Sequence, residues 1–136
     1  MKILLTSISG HGLYLFANGN RYKGDYVNGV KEGRGQFWWT TGRYANDKYV
    51  GQFHLDRRHG HGVYFYSNGE IFDGQWATGH QEGPGQILFS NGNVMEGIWS
   101  EGRRHGDFKF LYPNGDEFSA HFIRGERTTQ WTQSRS

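Results

Sequence analysis

The chain has 136 residues, enough for one ordinary domain, with no cysteine and a formal charge of +2 spread over interspersed basic and acidic residues. This excludes a disulfide framework, a thiolate metal centre and the dense basic face of a dedicated nucleic-acid binder, and accords with a reducing, intracellular setting. Glycine at 22 residues and aromatics at 17 %, against two prolines and only 35 % hydrophobic residues, favour short strands joined by tight turns over a thick globular core.

Met1–Leu5 is briefly basic and then apolar, but Thr6–His11 turns polar at once, so neither a signal peptide nor a membrane span is expected there. A partial copy of a repeat (1–21) follows, with Gly10-His-Gly12 leading to Asn18-Gly19. The first full copy (22–48) opens with Tyr22-Lys-Gly24-Asp-Tyr26-Val-Asn-Gly29 and continues to Gly33-Arg-Gly35 and Thr41-Gly42. Tyr44–Asp47 reads as a four-residue insertion that lengthens a step otherwise of 23 residues. The second copy (49–71) carries Tyr49-Val-Gly51-Gln-Phe53, Gly60-His-Gly62 and Asn68-Gly69, with Asp56 in place of the first turn glycine. The third (72–94) carries Phe72-Asp-Gly74-Gln-Trp76-Ala-Thr-Gly79, Gly83-Pro-Gly85 and Asn91-Gly92. The fourth (95–117) carries Met95-Glu-Gly97-Ile-Trp99, then departs at Gly106-Asp-Phe108 before Asn114-Gly115. A partial fifth copy (118–125) and a polar tail (126–136) complete the chain. All glycines fall in repeat columns, so a tandem array is the organising feature.

Asn-Gly between alternating apolar runs is a strong hairpin signal, because a two-residue turn of this kind needs positive φ at both positions. Within strands glycine is unfavourable unless a ring or a backbone approaches closely. The aromatic columns supply such rings. Tyr14, Phe37, Tyr64, Ile87 and Phe110, with Phe16, Trp39, Tyr66, Phe89 and Tyr112, share one face with the Tyr22 and Tyr26 columns of the partner strands. The expected fold is all-β: an elongated, single-layer, twisted antiparallel sheet of tandem β-hairpins, about 48 Å long for five hairpins.

The pattern Tyr-x-Gly-x-Trp-x-x-Gly, then His-Gly-x-Gly and Asn-Gly, resembles the MORN (membrane occupation and recognition nexus) repeat over about residues 10 to 125. The resemblance implies a sheet of hairpins and an interaction role. It leaves open ciliary or flagellar scaffolds such as radial spoke heads, junctional membrane proteins, other cytoskeletal proteins, and arrays beside a catalytic domain. Asp47-Lys-Tyr-Val-Gly51 and the aromatic richness are most similar to radial spoke head proteins.

Several features are weighed for chemistry. His59 and His61 share a strand face, but no further ligand stands near them in sequence, so no metal site is expected. The Gly-x-Gly elements lack the following helix of a phosphate loop, and no nucleophile motif is present, so neither cofactor nor catalysis is expected. Leu15, Trp38, Phe65, Leu88 and Leu111 have the opposite parity to the aromatic columns. They are either covered by sheet curl or form a docking face for a protein partner. Lys31, Arg57, Arg58, Arg103 and Arg104 fall in turns expected to line one rim, giving either ordinary edge chemistry or a surface for acidic phospholipid. Phe118–Ile123 is expected to be an unpaired edge open to end-on pairing or homo-oligomers, with the tail extending outward and Trp131 as its anchor. The expected role is a non-catalytic protein–protein scaffold of a cytoplasmic cytoskeletal assembly, a ciliary axoneme foremost. The alternatives are a peripheral phospholipid-binding module or the repeat portion of a larger enzyme.

Overall fold

A computed structural model describes residues 9–134. Its strands are β1 (Gly10–Leu15), β2 (Arg21–Val27), β3 (Val30–Trp38), β4 (Lys48–His54), β5 (Arg57–Phe65) and β6 (Ile71–Ala77). They continue as β7 (His80–Leu88), β8 (Val94–Ser100), β9 (Arg103–Leu111), β10 (Glu117–Ile123), β11 (Glu126–Arg127) and β12 (Thr132–Gln133). Strands β1 to β11 pair in chain order, each antiparallel to the next, in one open sheet. The fold class is the expected one.

Two kinds of turn alternate along the sheet, and they correct the expectation for Asn-Gly. The two-residue turns with positive φ at both positions are Asn28-Gly29, Leu55-Asp56, Thr78-Gly79, Glu101-Gly102 and Arg124-Gly125. At Asn18-Gly19, Asn68-Gly69, Asn91-Gly92 and Asn114-Gly115 only the glycine has positive φ. There the asparagine side chain accepts the N–H two residues on, as Asn18 Oδ1 does from Asn20 at 2.9 Å, and the glycine N–H closes the turn on Phe16 O at 2.9 Å.

The insertion is also placed differently. Asn46, at φ 70°, donates its N–H to Trp39 O at 2.7 Å, the role that Gly19 plays one copy earlier. The extra residues therefore lie between Trp39 and Asn46 and include a short 3-10 turn, Gly42–Tyr44. Asp47 closes the loop rather than belonging to it. Its buried carboxylate accepts the Tyr64 hydroxyl at 2.5 Å and the Ser67 N–H at 2.8 Å.

One face of the sheet is floored by a cross-strand row of glycines: Gly12, Gly24, Gly35, Gly51, Gly62, Gly74, Gly85 and Gly97. Rings lie directly on it. A Cβ at Gly35 would collide with the ring of Tyr22, one at Gly62 with Tyr49, and one at Gly85 with Phe72. Tyr22 and Tyr49 reach across the glycines to donate their hydroxyls to Asp25 O and Gln52 O, each at 2.9 Å. A strand glycine costs roughly 1 kcal/mol, whereas burying about 200 Å² of ring contributes roughly 5 kcal/mol, so the exchange favours the fold.

The rings join into one continuous edge-to-face chain. It runs Tyr26–Tyr22–Phe53–Tyr49–Trp76–Phe72–Trp99–Phe108–Phe122, with centroids 4.9 to 5.4 Å apart. The fourth copy's departure is thereby explained. Met95 replaces the ring found at Tyr22, Tyr49 and Phe72, and Phe108 replaces the glycine found at Gly35, Gly62 and Gly85. The Phe108 ring lies over Gly97, within 2.7 Å of where a Cβ would stand. The ring thus comes from the opposite strand, and the chain is unbroken.

The C-terminal end differs from expectation. Segment Phe118–Ile123 is not an open edge, because β11 and β12 both pair with β10 on the side away from β9. Thr128 N–H and Ser134 N–H add bonds to His121 O and Glu117 O, each at 2.7 Å. Trp131 packs its ring against Phe110 and Phe122, both at 5.9 Å. The tail is thus an interrupted second strand of the fifth copy and caps the ring chain. A variant ending at Gly125 should lose about 3 kcal/mol, the scale of deleting a buried aromatic, and expose a strand edge. Urea unfolding and light scattering should show lower stability and concentration-dependent self-association; a monomer of unchanged stability would contradict the capping role.

Burial raises the pKa of Tyr22, Tyr49, Tyr64 and Tyr66, and pushes Tyr26 up to about 12. For Tyr64 the hydrogen bond to Asp47 and the charge of that carboxylate add to the rise. These groups stay neutral in the fold, while in the unfolded chain they ionise near the usual phenol value of about 10. Their stabilisation is therefore complete below pH 10 and is lost as pH climbs from there towards the folded-state values. Absorbance at 295 nm and far-ultraviolet dichroism should show delayed ionisation of these tyrosines coinciding with collapse of the sheet.

Candidate interaction surfaces

The opposite face holds the residues predicted for partner contact. The strand register places them in a single cross-strand row: Leu15, Arg21, Trp38, Lys48, Phe65, Ile71, Leu88, Val94, Leu111 and Glu117. None of Leu15, Trp38, Phe65, Leu88 or Leu111 belongs to the ring-lined core. Leu15 is 51 % exposed, and the other four are half-buried. Curl of the sheet therefore does not bury the row.

Its two halves differ in chemistry. Towards β1, cations alternate with rings: Arg21 lies 5.4 Å from the Trp38 ring, and Lys48 lies 5.5 Å from Trp38 and 5.6 Å from Phe65. From Phe65 to Leu111 the row is wholly apolar. Sequence reasoning found one member per hairpin and missed the residues immediately before Tyr22, Tyr49, Phe72 and Met95. Their parity was the available signal. Beside the row, a groove of about 430 Å³ is lined by His11, Lys23, Arg34, Gln52 and His61 among others, so the sheet draws side chains of β1 and β5 together.

The predicted basic rim is divided. Arg57 and Arg103 are exposed, as a rim requires. Lys31, Arg58 and Arg104 instead fold over the ring face, which corrects that expectation. Their column is in phase with the aromatic face, and an alkyl stem with a flat or compact cation covers rings better than water does. Lys31 Nζ lies 5.7 Å from the Tyr22 ring and 5.5 Å from that of Phe37, and pairs with Asp56 at 3.1 Å. Arg104 sits 5.0 Å from the Phe122 ring. Arg58 is 4.7 Å from Trp76 and within 5.8 Å of Trp39 and Tyr64, and donates to Gly79 O at 2.8 Å. Burial lowers its pKa.

Four histidines, His11, His54, His61 and His121, pair with carboxylates. His61 meets Asp73 at 2.6 Å, His11 meets Asp25 at 2.9 Å and His54 meets Glu32 at 2.8 Å. The His54 bond, followed by the Leu55 N–H, lowers the Glu32 pKa. His59 packs its ring 5.5 Å from His54. Among the described residues no cluster of three or more potential metal ligands forms, and no helix is long and apolar enough to cross a membrane.

The single ring-faced sheet and its glycine floor, repeated hairpin after hairpin, define a tandem repeat array. The MORN repeat matches the chain at residues 8–21, 22–42, 49–71, 72–94 and 96–117, and the protein belongs to that family. The third and fourth stretches coincide with the repeats read from the sequence, and the second ends at Gly42, inside the loop that carries the insertion. MORN repeats are non-catalytic modules for interaction with proteins or membranes. No curated protein matches the chain.

Proposed function

We propose that this protein is a non-catalytic scaffold that binds other protein subunits through the Leu15–Leu111 row. We further propose that it serves as a cytoplasmic structural subunit of a cytoskeletal assembly, a ciliary or flagellar axoneme of the radial-spoke kind foremost. The observation that supports the binding role is the uninterrupted Phe65–Ile71–Leu88–Val94–Leu111 stretch on a face no other part of the described chain covers. Large apolar surface of this kind marks interaction sites, and rigid rings lose little entropy on docking. The axonemal assignment rests on the likeness of Asp47–Gly51 to radial spoke heads and is the finer part of the proposal.

The test is an affinity capture of the tagged chain from ciliated cells, run beside Trp38→Ala, Phe65→Ala and Leu88→Ala variants. Stoichiometric axonemal subunits, insensitive to moderate salt and lost with the variants, are the expected result. Capture that the variants leave intact would remove the row from the binding surface, and capture of non-axonemal cytoskeletal subunits would remove the ciliary assignment. Recognition of acidic phospholipid keeps only Arg57 and Arg103 as free rim cations, and vesicle flotation that is lost on raising salt would move it to first place.

A further inference from the structure

The column of cations over the rings contains its own internal comparison. Lys31, Arg58 and Arg104 occupy equivalent positions, and in each case the second residue of the next two-residue turn donates its N–H to the cation's own carbonyl. The pairs are Asp56 to Lys31 O at 3.0 Å, Gly79 to Arg58 O at 3.0 Å and Gly125 to Arg104 O at 2.8 Å. Only the first of these turn residues has a side chain. The Asp56 carboxylate takes both the Lys31 backbone N–H at 2.9 Å and the ammonium at 3.1 Å. Lys31 is thus given a carboxylate by its turn, whereas Arg104, whose turn residue is glycine, bonds the Met95 Sδ at 3.3 Å and, among the described residues, no carboxylate.

Arg58 has none. Among the described residues its guanidinium bonds one carbonyl, Gly79 O, and pairs with no acid, although rings enclose it. A desolvated guanidinium with unused donors is a costly group to leave uncompensated, and ring faces offset only part of that cost. Beside it opens a cleft of about 410 Å³ lined by the rings of Trp39, Tyr44, Tyr66 and Trp76 together with Glu101 and Arg103. Tyr44 comes from the insertion, so the cleft stands where the array departs from its period.

We infer that this cleft binds a carboxylate borne on an apolar body, with Arg58 as its counter-ion: an Asp or Glu side chain, or a terminal carboxylate, of a partner peptide. Of the charged groups lining the cleft, Glu101 offsets Arg103 and leaves the Arg58 guanidinium to match one monoanion in bidentate fashion. The ring walls suit the body that carries the charge. The peptide origin of the carboxylate rests on the scaffold reading, whereas the site itself does not.

The probe is 3-phenylpropionate, with 3-phenylpropionamide and phenyl phosphate as comparisons, followed by tryptophan fluorescence and by the Arg58 Nε–H resonance. Saturable millimolar binding of the carboxylate is expected, at least tenfold tighter than the amide and tighter than the phosphate. Arg58→Gln should lose that binding at least tenfold, and Gln81 already occupies this column in the next copy, so the fold accepts the change. Gly79→Asp places an internal carboxylate where Asp56 stands for Lys31. A Cβ there meets nothing within 4 Å, and aspartate tolerates the φ of 87°, as Asp56 does at 70°. That variant should raise the melting temperature and abolish binding. Equal binding of acid and amide, tighter binding of the phosphate, or probe affinity unchanged in both variants would overturn the site. If the probe binds as expected while no protein partner is captured from cells, the scaffold reading fails and the carboxylate site stands.

Discussion

Replacing Gly62 by alanine should destabilise the protein by about 3 kcal/mol, lowering the melting temperature by about 10 °C, from one added carbon. The backbone at Gly62 is ordinary extended strand, so alanine meets no conformational strain there and is intrinsically the better strand residue. The whole cost comes from the Tyr49 ring and hydroxyl, which occupy the space the methyl needs. Tyr49 has no exposed surface and makes edge-to-face contact with Phe53 at 5.1 Å and Trp76 at 5.4 Å, so it has nowhere to relax within the chain of rings. It must be expelled, losing its buried area and its bond to Gln52 O. Gly12→Ala is the matched control in the same row. There the nearest atom to the new carbon is the Tyr14 hydroxyl at 3.4 Å, on a ring that remains part-exposed and free to move. That variant should stay within about 0.5 kcal/mol of the parent. Urea denaturation read by near-ultraviolet dichroism measures both, and equal costs at the two positions would mean that rings on glycine do not hold this sheet together.

The contrast also shows which parts of the architecture were legible in the sequence. The glycine and ring columns share one parity in every copy, and period-two side-chain geometry converts that directly into one face of a sheet. The Leu15–Leu111 column was legible for the same reason. What escaped notice depends on where long side chains bend and which groups close the turns. Lys31 and Arg58 look like rim cations until the ring face beneath them is known. Asn18 and Asn28 both precede a glycine, yet one accepts a bond through its side chain at ordinary φ and the other adopts φ 51°. The dipeptide alone does not decide between them; the length of the connection does. The tail hides a strand because Thr128–Trp131 interrupts it, leaving β11 and β12 too short to show alternation. The carboxylate cleft at Arg58 was not visible at all, since it combines the third hairpin's cation with a loop inserted one repeat earlier.

The second large effect tests whether the fourth copy's departure is a compensated exchange. Phe72 corresponds to Met95, and Gly85 to Phe108. Putting phenylalanine at Gly85 alone would drive two rings into one space, because Phe72 Cζ already lies 2.6 Å from where a Cβ would stand. A loss of about 4 kcal/mol is expected, at the upper end of overpacking. Phe72→Met alone removes a fully buried ring from contact with Trp76 and Trp99 and should cost about 2 kcal/mol. If the third copy can adopt the arrangement of the fourth, the Phe72→Met, Gly85→Phe double variant should recover at least about 2 kcal/mol relative to the sum. The new ring would lie over Gly74 as Phe108 lies over Gly97, meeting Trp76 and Trp99 as Phe108 meets Trp99 and Phe122. A double-mutant cycle in urea measures the coupling directly. Simple additivity would show that the exchange depends on something peculiar to the C-terminal end, where Trp131 closes against Phe122. Strong coupling would instead mean that each hairpin needs one ring on its glycine floor and is indifferent to which strand supplies it, so the array's stability resides in the ring chain rather than in any single repeat.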